Sequence, residues 1–314
     1  MPDPLLYLQA MGVAAIVSAS IALAMVTVWR SHGKSWPNSA YVLAIGFGIA
    51  LGCHWLAFRW QWPPTNGLNR LLICVLPGTG AIEMVAGCST KLTRFAWLAR
   101  FCLAIAIPRI LLDGSVYLTP GGLPVLEQPL AGIYLMSGFP LAGSWWLLNR
   151  LSQRAEGTAI SLTIPLSLAL ATLCAGLSVM LAGYLKGGAA AFPVGGTLLG
   201  TVVAAWLVSW RSDNQPAVLR PSLVPPAVVS AGVVGLFGLL LVGCAFGRLP
   251  LGRATVILLA PLACWGPEWR LTRNRNPWIV ALIRLILVAI PLLVAVLLAK
   301  REFDRSMAPL LGAS

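Results

Sequence analysis

The sequence predicts an all-α polytopic integral membrane protein, a bundle of about ten transmembrane helices with no soluble domain. Hydrophobic residues fill 58% of its 314 positions and charged residues only 10%, and its mean hydropathy is +0.85. A soluble domain carries about a quarter charged residues. The apolar runs approach twenty residues, the length of helix that crosses the hydrocarbon core of a bilayer. A helix also satisfies its own backbone hydrogen bonds in lipid.

Ten apolar segments are predicted to cross the membrane. They are Leu5–Trp29, Ala40–Phe58, Leu71–Cys88, Phe95–Leu112, Leu130–Leu148, Ala159–Leu185, Ala189–Trp210, Pro225–Phe246, Ala254–Gly266 and Trp278–Ala299. The ninth is short for about 30 Å of hydrocarbon and contains Pro261. If it is re-entrant, nine helices cross and the C-terminus moves inside. Tryptophans, Trp145 among them, lie at or beside the segment ends, which indicates interfacial belts rather than a binding site.

The distribution of Lys and Arg predicts the orientation. With the N-terminus outside, eleven basic residues fall on the inner side and eight on the outer side, and basic residues are enriched inside. We therefore expect a multi-pass protein of the plasma or inner membrane, whose first partner is the lipid bilayer. The net charge of +13 is dispersed between apolar runs and forms no contiguous basic face, so nucleic acid is not an expected partner.

A weak internal similarity suggests two halves, 1–155 and 156–314, within a single transmembrane domain. The run Pro77-Gly78-Thr79-Gly80 resembles Pro193–Thr197 in kind, and paired Gly/Pro interruptions are typical of transporters with broken helices. The spacing does not support a repeat, because the second run lies in the seventh segment and a repeat would place it in the eighth.

The candidate site is Glu83 with Arg100, on two consecutive antiparallel segments. Each lies five residues from the inner end of its segment, which is about 8 Å of depth. Thr79, Gly80 and Glu83 share one helical face, and small residues on such a face let helices approach closely. An isolated carboxylate in lipid is costly, whereas pairing with arginine keeps it ionised. Two hypotheses follow: a substrate or ion site that includes Thr79, or a buried ion pair that only fixes helix register.

Three other charged residues complete the candidate set. Arg284 lies at a depth similar to that of Glu83 and either joins it or extends toward the inner boundary. Arg109 and Asp113 are one helical turn apart near the outer boundary, and this spacing predicts a second ion pair.

Two glycine pairs, Gly48–Gly52 and Gly196–Gly200, have the GxxxG spacing of closely packed membrane helices. We interpret both as packing faces.

The remaining patterns argue against an enzyme. There is no phosphate-binding loop, HExxH zinc helix or nucleophile elbow, and no two acids share a segment. The seven cysteines include no CxxC pair, so no metal and no cofactor are expected. Two functions remain open: a secondary transporter or channel for a small solute or ion, with a polar site near Glu83 and Arg100, or a non-catalytic structural or assembly subunit with other membrane subunits as partners.

Overall fold

The computed structural model describes residues 4–31, 37–88, 92–115, 130–154, 158–212, 224–268 and 276–311. Over these ranges the chain is helical, with no β-strand. Its elements are α1 (Pro4–Ser31), α2 (Pro37–Trp55), α3 (Gly67–Arg70), a π-helical turn (Leu71–Val75), α4 (Leu76–Cys88), α5 (Leu92–Leu112), α6 (Leu130–Arg154), α7 (Thr158–Leu181), α8 (Leu185–Ala189), α9 (Ala191–Ser212), α10 (Pro226–Phe246), α11 (Leu251–Leu259), a 3₁₀ helix (Ala260–Glu268) and α12 (Pro277–Leu311). The predicted all-helical class is confirmed.

Among the described residues, seven helices are long and apolar enough to cross a membrane. They are Pro4–Val28, Gly67–Cys88, Phe95–Leu112, Ala159–Leu181, Leu185–Trp210, Pro226–Phe246 and Pro277–Ser306. The other three predicted segments are also helical but do not meet this standard: α2, α6 and the shorter Leu251–Pro267. Seven of the ten predicted spans are thus supported by length and composition.

The most buried helix is α10, which lies at the centre of the bundle. In the most apolar 18-residue stretch of α10, 89% of the residues are buried, whereas in that of α1 only 22% are buried. It packs against α2, α4, α5, α6, α7 and α9. A helix that is apolar all round is expected to be buried on every side. This position brings the side chains of α10 into reach of several helices at once.

The two GxxxG pairs are packing faces, as the spacing predicts. A Cβ added at Gly196 or Gly200 of α9 would collide with the backbone oxygens of Met11 and Ala15 in α1. The Gly48–Gly52 pair of α2 packs against α1 and α9 in the same way. The helix α1 of the first proposed half therefore packs directly on α9 of the second. The division into halves stays a prediction.

The Pro77–Gly80 run does not break its helix, contrary to the interpretation of the sequence. The irregularity comes just before it, in the π-helical turn Leu71–Val75, where the N–H of Leu76 donates to the carbonyl of Leu71. Pro77 lacks an N–H, and its ring would crowd the carbonyl of Ile73 in a regular helix. The wider turn gives that ring room, and α4 continues through Gly78 and Gly80 to Cys88.

The ninth predicted segment is one continuous helical rod. The α-helix Leu251–Leu259 passes directly into the 3₁₀ helix Ala260–Glu268. The α-helix ends at Leu259, just before Pro261, and the backbone continues past this proline with 3₁₀ geometry.

A candidate site at Glu83 and Arg100

The ion pair between Glu83 and Arg100 joins α4 to α5. The Nε atom of Arg100 donates to Oε1 of Glu83 at 2.7 Å, and Nη2 donates to Oε2 at 2.7 Å. Glu83 is 0% exposed and Arg100 4%. Two parallel bonds between a guanidinium and a carboxylate are both strong and directional. The structure therefore brings together the two residues that the sequence placed at one depth.

Two further side chains complete this contact. The hydroxyl of Ser230 in α10 donates to Oε1 of Glu83 at 2.6 Å, and the indole N–H of Trp145 in α6 donates to the Ser230 oxygen at 2.8 Å. We call Glu83, Arg100, Ser230 and Trp145 the Glu83 cluster. One carboxylate thereby links four helices, and a network of this kind inside a protein specifies their arrangement.

Sequence reasoning missed Ser230 and assigned Trp145 to an interfacial belt. A signal for Ser230 was present, since it is the only hydroxyl in the otherwise apolar α10. A lone polar group in such a helix needs a partner. No comparable signal marked Trp145, because its burial at 1% exposure depends on how α6 is rotated toward α10.

Positive charge lies close to the Glu83 carboxylate. Ser230 lies in the second turn of α10, and the N-terminal end of a helix carries partial positive charge. The guanidinium of Arg100 lies 4.8 Å from the ring centre of Trp97, so its charge also contacts an aromatic face. An ionised carboxylate offers about four acceptor positions. Arg100 and Ser230 occupy three of them, so among the described residues one position on Oε2 has no donor.

Asn38 holds the backbone beside Glu83. Its Nδ2 donates to the Glu83 carbonyl at 2.5 Å, and its Oδ1 accepts from the N–H of Ala227 at 3.0 Å. That N–H belongs to the first turn of α10, where no acceptor exists within the helix. Gly87 permits the approach, since a Cβ there would lie 3.1 Å from the Asn38 Cβ. One amide therefore ties α2, α4 and α10 together next to the cluster.

Glu83 also lines an open groove of about 530 Å³ between α2 and α4, with α10 behind it. We call it the α2–α4 groove. Its lining is apolar except for Glu83, Thr79 and the indole of Trp60. Gly46 faces open space here, because a Cβ at this position would meet no atom within 4 Å. The groove is thus an apolar slot that Thr79 and Glu83 line one helical turn apart.

A second groove, the α5–α6 groove, lies on the other side of the cluster. It has a volume of about 510 Å³, and both Arg100 and Trp145 line it. The remaining walls include four more aromatic side chains, Trp97, Phe101, Phe139 and Trp146. The Glu83 cluster is therefore shared by two grooves of similar size, one lined by the acid and the other by the base.

Arg284 does not join Glu83. It is 1% exposed on α12, and its Nη1 donates to the carbonyl of Ile160 and to Oγ1 of Thr163 in α7, both at 3.3 Å. The similar depth predicted for the two residues does not bring them into contact. The direction of each side chain around its helix axis places them on different interfaces.

The second predicted ion pair involves a different base. Nη2 of Arg70 lies 3.3 Å from Oδ2 of Asp113, and Nη1 of Arg70 donates to the carbonyls of Asp113 and Ile110. The Arg109 side chain is exposed. The carbonyls at the end of α5 have no partner within the helix and attract a cation. Arg70 contacts both these carbonyls and the Asp113 carboxylate. Arg109, on the preceding turn of α5, contacts neither.

Comparison of the chain with protein-family models and with curated proteins found no match. Among the described residues, no three His, Cys, Asp or Glu side chains are grouped as a metal site would require. The fold and the site define the class: an all-helical chain with several helices able to cross a membrane, compatible with a membrane protein, and with a buried carboxylate–guanidinium pair between two open grooves.

Proposed function

We propose that this chain is a multi-spanning membrane protein with ten crossings and its N-terminus outside. The ninth crossing is the segment most in need of support, and helix geometry supplies it. The nine residues of α11 rise about 13 Å at 1.5 Å each, and the nine residues of the 3₁₀ helix rise about 18 Å at 2.0 Å each. Together they approximate the 30 Å of a hydrocarbon core. The 3₁₀ geometry lengthens a segment that would be too short as an α-helix.

Epitope tags at residues 1 and 314 would test this topology. Ten crossings place both tags on the outer face, where antibody reaches them in intact cells. Nine crossings place them on opposite faces. The charge distribution does not discriminate between these arrangements, so the tags decide the question.

Within this membrane protein we propose a secondary carrier whose substrate site is the α2–α4 groove. The observation that carries the proposal is that Glu83 lines the apolar groove and that four helices meet at its carboxylate. Ligand pockets are typically about 300–1,000 Å³, mostly apolar, with a few placed polar groups. The α2–α4 groove fits this description better than it fits a path for a hydrated ion.

The unused acceptor position on Oε2 suggests the class of substrate. A carboxylate can only accept hydrogen bonds, so its ligand must donate one. An amphiphile with a hydroxyl or ammonium group at the end of an apolar chain would place that donor at Glu83. A donor at Oε2 would share that oxygen with Arg100. Occupancy of the groove would thereby be coupled to the contact between α4 and α5, which is what a carrier requires.

Translocation of fluorescent amphiphiles in proteoliposomes would test the carrier. The probes are nitrobenzoxadiazole-labelled chains of one length that end in a hydroxyl, an ammonium or a carboxylate, and dithionite bleaches those on the outside. We expect faster exchange of the hydroxyl and ammonium probes than of the carboxylate probe. Gly46→Leu fills the groove and Glu83→Gln removes the charge, so each should abolish the acceleration. Asp113→Asn, which removes a peripheral ion pair, is the matched control and should leave the rate unchanged.

A structural or assembly subunit is the second candidate, favoured by the well-satisfied Glu83 carboxylate. A buried ion pair can serve register alone. If Glu83→Gln lowers the thermal midpoint but Gly46→Leu and Glu83→Gln exchange every probe at the rate of the unmodified protein, the carrier is excluded. Stoichiometric membrane subunits that remain bound in mild detergent would then support the assembly role, and recovery as a lone monomer would count against it.

A further inference from the structure

The α5–α6 groove has its own basic group at one end. Arg150 lies one turn beyond Trp146 on α6, and its guanidinium is 4.3 Å from the ring centre of Trp146, which lines the groove. Arg150 is exposed, and within the described residues no carboxylate forms an ion pair with it. This cation differs from that of Arg100, whose charge is matched by Glu83.

A second exposed arginine lies one turn further along the same face. Arg154 follows Arg150 by four residues, and its guanidinium is 5.7 Å from the ring centre of Trp265. Like charges four residues apart on a helix repel each other. The C-terminal end of a helix tolerates cations, and each guanidinium also lies over the ring of a tryptophan. An anion between or beside them would relieve the repulsion.

The groove itself suits an apolar chain. Phe101 and Phe139 meet edge to face at its far end, with ring centres 6.1 Å apart. From Phe139 to Arg150 the helix α6 rises about 16 Å. Gly143 lies between them in the groove wall, and a Cβ there would meet no atom within 4 Å. The result is an aromatic slot with two phenylalanines at one end and a pair of cations beyond the other.

We propose that the α5–α6 groove binds one anionic phospholipid of the inner leaflet, with an acyl chain along the groove and the phosphate at Arg150 and Arg154. The proposed orientation places the C-terminal end of α6 on the inner side, where anionic lipids attract juxtamembrane basic residues. Arginine suits phosphate because its planar N–H groups match two oxygens. The inference rests on the proposed membrane location and orientation but is independent of carrier activity.

The test is a lipid titration of the delipidated protein in detergent, followed by its thermal midpoint and by native mass spectrometry. Phosphatidylglycerol and phosphatidylcholine with the same acyl chains are compared, and glycerol phosphate serves as the soluble headgroup. We expect phosphatidylglycerol to raise the midpoint in a saturable way and to remain as one retained lipid. Phosphatidylcholine should bind about tenfold more weakly, because the choline cation beside its phosphate is repelled by Arg150 and Arg154. Glycerol phosphate should have no effect at matched concentration.

Two variants and two matched controls locate the lipid. Arg150→Gln should weaken phosphatidylglycerol binding about tenfold, and Gly143→Leu should remove the retained lipid because leucine fills the slot. Arg109→Gln removes an exposed arginine elsewhere on α5, and Gly46→Leu fills the other groove, so both should bind like the unmodified protein. Equal shifts by the two lipids, equal binding by Arg150→Gln, or a full shift with glycerol phosphate would each overturn the proposal. Since Gly46→Leu is expected to stop transport but not lipid binding, failure of the carrier and failure of the lipid site are distinguishable.

Discussion

The hydroxyl of Ser230 lies 2.6 Å from Oε1 of Glu83, an oxygen that the Nε of Arg100 also contacts. This single hydrogen bond connects the most buried helix, α10, to the ion pair between α4 and α5. Because the indole of Trp145 donates to the same hydroxyl, the serine relays the contact onward to α6.

Removal of this hydroxyl should destabilise the protein. Ser230→Ala leaves the indole N–H of Trp145 buried without its acceptor and takes one donor from Glu83. We expect a loss of about 1–3 kcal/mol in the free energy of unfolding, measured as a lower thermal midpoint in detergent. Ser306→Ala removes an exposed hydroxyl near the end of α12 and should change the midpoint little. Equal effects of the two substitutions would show that the Ser230 contact carries no stability.

Breaking the buried ion pair from one side should be more costly than replacing both partners. Glu83→Gln leaves the Arg100 charge buried and uncompensated, which we expect to cost about 3–5 kcal/mol. The double variant Glu83→Leu with Arg100→Leu should recover most of this stability, since it removes both charges together. Thermal unfolding of the two variants provides the comparison. A double variant less stable than Glu83→Gln would contradict this account.

The peripheral pair of Arg70 and Asp113 serves as a reference for ion-pair strength. The Asp113 side chain is 68% exposed, so water already stabilises its charge. Asp113→Asn should therefore cost no more than about 1 kcal/mol. High salt should diminish the effect further, since an exposed pair is screened. A loss as large as that of Glu83→Gln would mean that burial does not govern these pairs.

The close approach of α1 and α9 predicts a sharp contrast between two glycine substitutions. A methyl group at Gly200 would collide with the carbonyl oxygen of Ala15, which is backbone and cannot rotate away. Gly200→Ala should cost about 1–3 kcal/mol by overpacking. Gly46→Ala adds the same methyl group in open space and should be neutral or slightly stabilising, because alanine favours the helix. The thermal midpoint of Gly200→Ala should therefore lie below that of Gly46→Ala.

Asn149 is a candidate for stabilisation by substitution. It is 1% exposed, and neither amide atom has a hydrogen-bond partner among the described residues. A buried polar group without a partner carries its full desolvation cost. Asn149→Leu keeps a similar shape and should raise the free energy of unfolding by about 1–3 kcal/mol. The measurement is a higher thermal midpoint. A lower midpoint would instead indicate that the amide makes a contact essential to the fold.

Patterns local in the sequence determined the class of fold and several of its details. The length and polarity of the apolar runs predicted helices, because backbone hydrogen bonding within a segment depends only on that segment. GxxxG spacing predicted that Gly196 and Gly200 form a packing face. Glycine has no Cβ, so another helix can approach this face closely whichever helix it is. Equal depth on adjacent antiparallel helices predicted the contact of Glu83 with Arg100. Each of these follows from distances along one helix or between chain neighbours.

Only the tertiary structure decided which distant side chains meet these groups. The contact of Ser230 with Glu83 spans 147 residues and depends on how α10 is rotated within the bundle. The rotation of each helix about its axis likewise places Arg284 against α7 and pairs Asp113 with Arg70. Position along a helix axis can be counted from the sequence, but the direction of a side chain around that axis is settled by packing against helices far away in the chain.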